Sequence, residues 1–224
     1  MEIRSMEIHS MEIRSFVETD RTELRELFAR AGEGAPTESL WGHRDSEAAV
    51  YLDPYMDLEP HSLLLAVADG APVGYLTGCP DSSEFPSEAD RIDRAVKKHW
   101  PAFRLRAAAF FGRAVLDMAR AGIRREPTAG DFTDTRWPAH LHIAVVPAAR
   151  GTGAADALMN HWLDRLRQAG SPGCHLQTLV ENTRAVRFFE RAGFLRHGPT
   201  PVVPGLRYDG RRLHQQTMVW SPQG

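Results

Sequence analysis

Cysteine is nearly absent: Cys79 and Cys174 are the only two among 224 residues. They stand far apart, in apolar strand-like contexts, with no metal-ligand spacing. That excludes a disulfide framework and a thiolate metal centre, so no metal is expected and a reduced, cytoplasmic setting fits. An excess of one charge is missing too. The 27 basic side chains face 29 acidic ones, for a formal net charge of -2, so neither nucleic acid nor an anionic membrane is expected as the main partner. No apolar run approaches the roughly 18 residues of a membrane span, and the first residues lack the apolar core of a signal peptide. What is present is a globular composition, 42% hydrophobic and 25% charged. A chain of this length buries roughly 70% of its unfolded surface, enough for a real core.

The chain starts with MEIRS, MEIHS, MEIRS. A five-residue period suits neither helix nor strand, so one copy suffices for a first strand at Glu12–Val17. Residues 1–10 are expected to be an extra start repeat without fixed structure, followed by a single domain over 11–224. Asp20, with Glu23 three places on, reads as a capping-box variant ahead of a helix carrying Leu24, Leu27, Phe28 and Ala31 and ending at Gly32 or Gly34. Residues 35–60, with Trp41, Tyr51 and Tyr55, read as loop plus a short helix. Two apolar runs, Ser62–Ala68 and Pro72–Cys79, flank Asp69-Gly70, a hairpin signal. Residues 88–135 form a helical insert, with Ile92, Val96 and Trp100 before Pro101 and an apolar face of Phe110, Phe111, Val115 and Met118 after it. Ala139–Val146 is the strongest strand, followed by a helix with Leu158, Met159, Trp162, Leu163 and Leu166 on its apolar face. A strand at Cys174–Val180, a short helix through Ala185, Phe188 and Phe189, a Pro- and Gly-rich loop and a last strand at Leu213–Trp220 complete a mixed α/β pattern.

The most informative segment is Val145-Val146-Pro147-Ala148-Ala149-Arg150-Gly151-Thr152-Gly153-Ala154-Ala155, which joins a buried strand to an amphipathic helix. Glycine lets backbone approach a ligand with no Cβ in the way. The first helical turn leaves amides without intrahelical partners, and the helix dipole there favours anions. Arg150 adds a fixed cation. These features suit a diphosphate, although a G-x-G turn after a strand is also common with no ligand. The segment is not a dinucleotide fingerprint, because the third glycine of G-x-G-x-x-G is absent, and not a P-loop, because no G-K-[ST] follows.

Arg150, Gly153 and Ala155 match the R/Q-x-x-G-x-G/A of the GNAT acetyltransferase superfamily, and Val145 and Pro147 match the V-x-P that often precedes it. Asn182, Ala185, Phe188 and Gly193-Phe194 match its second segment, N-x-x-A-x-x-F-Y with a G-F tail. The chain thus resembles that family. The resemblance implies a mostly antiparallel central sheet flanked by helices, with the insert between the third and fourth strands. It further implies acetyl-CoA as acyl donor and a primary amine, on a small molecule or a protein, as acceptor. The state expected is monomer or homodimer. Cofactor contacts are implied at Val145 and Val146, where main-chain groups pair with the pantetheine arm. They are also implied at Arg150, Gly151, Thr152, Gly153, Ala154, Ala155, Asn182 and Phe189. His140-Leu141-His142-Ile143 and the insert are further similar to bacterial relatives of the acetyltransferase-like domain of O-GlcNAc hydrolases.

His140 and His142 are the candidates for the catalytic base, two apart on one strand face and titrating near neutral pH. Ordinary hydrogen-bonded strand histidines would look the same. Arylalkylamine acetyltransferases carry a similar H-x-H one residue further from the loop, and a one-residue slip turns a side chain to the other face of the sheet. The family's thiol-protonating tyrosine falls at Phe189, which cannot donate a proton. Its plain alternative is core packing, and a non-catalytic acyl-CoA-binding module is the corresponding second reading of the chain. Trp41, Tyr51, Tyr55, Phe110 and Phe111 are candidate walls for the acceptor.

Overall fold

The computed structural model describes residues 10–33, 43–99 and 106–222. Trp41, Trp100, Pro101 and the repeat before Ser10 lie outside them. Ser10 itself is held, its N–H and hydroxyl on Asp69 Oδ1 at 2.9 and 3.2 Å. In chain order come β1 (Met11–Ser15), α1 (Arg21–Ala31), α2 (Arg44–Tyr51), α3 (Asp53–Leu58), β2 (Leu63–Ala68), β3 (Ala71–Cys79), α4 (Glu88–His99) and α5 (Arg106–Arg124). After the insert follow β4 (Ala139–Val145), α6 (Ala154–Gln168), β5 (Cys174–Leu179), α7 (Thr183–Arg191), β6 (Leu195–His197), β7 (Val202–Tyr208) and β8 (Arg211–Trp220).

The sheet runs β1-β2-β3-β4-β5-β8-β6, and β7 also pairs with β8. Its pairs are antiparallel except β4 with β5. The expected α/β class, with a mostly antiparallel sheet flanked by helices, is therefore the observed one. The β2–β3 hairpin turns at Asp69 and Gly70, with φ of 48° and 83°, as two left-handed central residues require. Leu63, Leu64, Leu65 and Ala66 are all buried, so β2 has both faces covered. On one face α6 crosses β3 over Gly74 and Gly78. A Cβ on Gly78 would lie 2.5 Å from the Trp162 ring, so only glycine admits that side chain. On the other face Phe28 of α1 meets Tyr75, centroids 6.3 Å apart, and Tyr55 of α3 is fully buried.

Three expectations need correction. Asp20 does not cap α1 with its side chain. Arg14 takes both its oxygens at 2.6 and 2.8 Å, and the Val17 N–H donates to it at 2.9 Å; a two-bond charge-assisted pair outcompetes a single cap bond. The region before the last strand is not all loop, since it holds β6 and β7, which share one edge of β8. On α5, Val115 and Met118 are 60% and 49% exposed, while Ala114, Asp117 and Ala121 are buried. The cause is β7. Asp117 accepts two 2.8 Å bonds from Arg207 and the Gly205 N–H at 3.0 Å. A Cβ on Gly205 would lie 2.8 Å from Phe110 O, so the two backbones approach closely. The rest of the insert docks through α4 on α2, with Val50 and Ala95 buried among Ile92, Val96, Phe110 and Phe111.

Candidate functional site

Strand β4 is paired along its whole length with β3, from His140↔Cys79 to Val145↔Gly74, without a register shift. With β5 it pairs only at Ala139↔Cys174 and His140↔His175. Beyond His140 the two strands part, and a split opens in the middle of the sheet. Ala139 N–H donates towards β5, to Gly173 O, whereas Val146 N–H donates to Val73 O at 2.9 Å on the other side. Main-chain groups alternate sideways along a strand. The amides of Ile143 and Val145 therefore face the split, and that of Val146 does not.

The turn expected to hold phosphate stands at the mouth of this split. Gly151 and Gly153 have φ of 82° and 89°, and a Cβ built on either meets nothing within 4 Å. Their left-handed backbone suits glycine, and the space beside them is open. Gly153 is the N-cap of α6, and the first intrahelical bond is Ala157 N–H to Gly153 O. The amides of Ala154, Ala155 and Asp156 precede that bond. Thr152 braces the turn by donating its hydroxyl to Ala149 O at 2.7 Å. Arg150 reaches Glu33 O at 3.2 Å, and its pKa is lowered by burial and then by the like charge of Arg184. Arg184, in the first turn of α7, is thus a second cation beside the loop. It fills a variable position of the second motif, and no sequence signal singled it out.

Asn182 serves as the N-cap of α7, its Oδ1 accepting Ala185 N–H at 3.2 Å. Phe189 is 7% exposed and packs on Phe188 and Phe194, centroids 5.3 and 6.1 Å away. Both residues have full structural employment.

The two histidines differ sharply. Ser82 lies 2.6 Å from Pro138 O, which can only accept, so its proton goes there and its oxygen accepts from His140 Nδ1 at 2.7 Å. That tautomer, assigned from the bonding pattern, leaves Nε2 to accept from the Tyr55 hydroxyl at 2.8 Å. Burial pushes the Tyr55 pKa up, which keeps this donor protonated. Both nitrogens of His140 are therefore engaged. His142 has its ring edge-on to Tyr55, 5.8 Å between centroids, and no hydrogen bond to either nitrogen among the described residues. Burial, followed by the charges of Arg91 and His175, depresses its pKa to about 4. It is neutral at pH 7 with a lone pair to offer.

Around this face stand residues the sequence did not single out. Phe85 stacks on Tyr55 at 4.5 Å. Arg91 of α4 is buried. Glu88 accepts the Tyr51 hydroxyl at 2.7 Å. Of the candidate walls, Tyr55 belongs to this cluster, Tyr51 touches it through Glu88 but packs with Phe110 and Phe111 in the separate cluster of the insert, and Trp41 is outside the described residues. Both thiols are buried, with pKa values pushed up to about 12; neither is a nucleophile at neutral pH.

Comparison with known proteins bears on the family and the fold. The model of the acetyltransferase (GNAT) family matches residues 21–194. Among solved structures, SsHAT aligns with a TM-score of 0.59 at 21% identity, over 95% of this chain and 98% of its own. The Salmonella typhimurium protein yncA, solved with its cofactor acetyl-CoA, aligns at 0.57 and 17% identity, over 95% and 94%. A ribosomal-protein-alanine N-acetyltransferase from Brucella melitensis aligns at 0.56 and 18%, over 94% and 99%. At such identities these likenesses bear on the fold.

Proposed function

The chain belongs to the acetyltransferase (GNAT) family, and from that premise we propose that it transfers an acetyl group from acetyl-CoA to a primary amine by direct attack. The observation that carries this reading is the parting of β4 from β5 after His140, beside a helix N-terminus opened by two left-handed glycines. The split offers the amides of Ile143 and Val145 to an extended arm and to the carbonyl oxygen of a thioester as it gains charge. The amides of Gly153 to Asp156, with Arg150 and Arg184, suit a diphosphate. When bound, acetyl-CoA supplies an acyl group already activated as a thioester.

The protein's own contribution is to the acceptor. His142 is the base of this proposal, because His140 has no free nitrogen. With a pKa of about 4 it cannot strip a free ammonium. It can relay a proton as the C–N bond forms, when the nitrogen turns strongly acidic, and pass it on to water. The nitrogen gains the acetyl group and loses one proton. The thiolate leaves and is protonated from solvent, since Phe189 has no proton to give. The finer likeness to bacterial relatives of the acetyltransferase-like domain of O-GlcNAc hydrolases rests on the His-x-His strand and the insert alone. The second reading, a non-catalytic acyl-CoA-binding module, is favoured by one observation: Phe189 stands where the family's proton donor is expected.

Following thiol release from acetyl-CoA over a panel of amines separates the two. Release well above the amine-free rate supports the transferase, and clear acetyl-CoA binding by calorimetry without release supports the module. Within the active case, His142→Ala is expected to lower kcat by roughly 10²–10⁴-fold. Unchanged turnover would remove His142 from the mechanism.

A further inference from the structure

Arg91 sits on α4, inside the insert, and is 7% exposed. Its Nη1 donates to Val50 O at 2.8 Å and its Nε to Ser87 O at 3.4 Å. Its Cζ lies 5.4 Å from the Phe85 ring and 5.9 Å from the Tyr55 ring, on the face of the sheet occupied by the histidines. Carbonyl oxygens satisfy some of its N–H groups without cancelling its charge. Among the described residues no carboxylate comes within ion-pair distance of it. Glu88, in the same helix, holds the Tyr51 hydroxyl instead. A buried guanidinium with no counter-charge among the described residues is costly, and such groups persist where something neutralises them.

A second observation lies one strand over. Thr77, the register partner of His142, is fully buried and its hydroxyl has no hydrogen-bond partner among the described residues. His142 offers two unbonded ring nitrogens beside it. Arg91 and His142 thus both border the Tyr55 ring, with the Thr77 hydroxyl buried behind His142 on the same side of the sheet. Tyr51, Glu88, His140 and His142 around it each keep some exposure. A simple alkylamine would answer the imidazole and leave the guanidinium uncompensated.

We propose that the acceptor is an amine that also bears a carboxylate, a free amino acid, and that Arg91 binds that carboxylate while the amino group meets His142. The inference rests on the transferase reading for the reaction, but not for the binding. Arginine's planar fork suits a carboxylate bidentately. The bound carboxylate would also cancel the charge that opposes protonation of His142, so the correct acceptor would strengthen the base that serves it.

Matched pairs test this: phenylalanine against phenethylamine, leucine against isoamylamine, tryptophan against tryptamine. Calorimetry on the protein saturated with CoA reads binding, and thiol release from acetyl-CoA reads turnover. At least one amino acid is expected to bind roughly tenfold or more tightly than its decarboxylated partner. Arg91→Gln should abolish that preference and Arg91→Lys should keep part of it, with CoA affinity unchanged in both. Equal or weaker binding of every amino acid relative to its amine overturns the proposal, and so does no measurable binding of any amino acid. The wild-type comparison decides this even if the variants do not fold. Preferential binding with no thiol release would leave the carboxylate site standing and overturn the transferase reading instead.

Discussion

Acidification should weaken the fold through His142, by an amount that follows from its surroundings. The perturbation is a fall in pH from 7 to 5, with His142→Gln as the reference. An imidazole ordinarily titrates at 6.5, and in the folded protein burial and then Arg91 and His175 bring that of His142 down to about 4. Between those two values the unfolded chain binds the proton and the native chain does not. Stability therefore rises with pH across this window, is fully present above 6.5, and is lost as pH falls towards 4. For one such group the loss at pH 5 is about 2 kcal/mol relative to neutral pH. Urea unfolding at pH 7, 6 and 5 supplies the free energies, and the difference between wild type and His142→Gln cancels the contribution of the other titrating groups. That difference should shrink by about 2 kcal/mol over the range. A difference that stays constant within error would mean that His142 is hydrated and ordinary, and the reason for its neutrality at the site would go with it.

Other substitutions probe the rest of the construction. Asp117→Ala strips the counter-charge from Arg207 and the acceptor from Gly205 N–H, and should cost about 3–5 kcal/mol; a Tm within a degree of wild type would contradict this. Gly78→Ala forces a Cβ against the Trp162 ring and should cost about 1–3 kcal/mol, checked by thermal unfolding together with the near-ultraviolet tryptophan signal. Arg150→Glu places an acid where two arginines face the loop, so acetyl-CoA affinity should fall at least tenfold, roughly the value of one charge-assisted contact. Unaltered affinity by calorimetry would remove Arg150 from the binding site.

Local signals in the sequence carried the sheet and the turn near Gly151, and long-range contacts decided what they left open. Asp69-Gly70 announced the first hairpin. The same dipeptide at Asp209-Gly210, with φ of 48° and 72°, closes the β7–β8 hairpin, and Pro201 and Pro204 in the run before it mask the strand signal there. Strand β4 was legible because Leu141, Ile143 and Val145 recur at every second position, continue into Val146 and stop at Pro147. The face of α5 was misread because Asp117 looks like a solvent residue until Arg207, 90 positions away, is placed against it. Arg91 and Glu88 were invisible for the same reason. On an amphipathic helix rich in charge nothing local distinguishes them, and it is the Val50 carbonyl, 41 residues back, with the rings of Tyr55 and Phe85, that encloses Arg91. The two histidines were visible as a pair, but their inequality comes from Ser82 and Tyr55, whose approach no local pattern encodes.

The register of β4 ties the proposed roles together. The question raised by the His-x-His motif was which way the rings point, since a slip of one residue would exchange the two faces of the sheet. Pairing with β3 runs unshifted from Cys79 to Gly74, so His140, His142 and Ala144 lie in a row with Cys79, Thr77 and Tyr75, on the side of α3 and α4. Leu141, Ile143 and Val145 point their side chains to α6, while their main-chain groups turn sideways to the edge where β5 departs. One strand therefore serves two directions. Its edge is available to an extended ligand at 143 and 145, and its face presents an imidazole at 142. Neighbouring residues on a strand are roughly 3.3 Å apart along its axis, so a group held on the edge and a group held on the face meet at contact distance. A bulge anywhere between Leu141 and Val145 would turn one role and leave the other, and the unbroken register in this stretch is what the proposed chemistry requires.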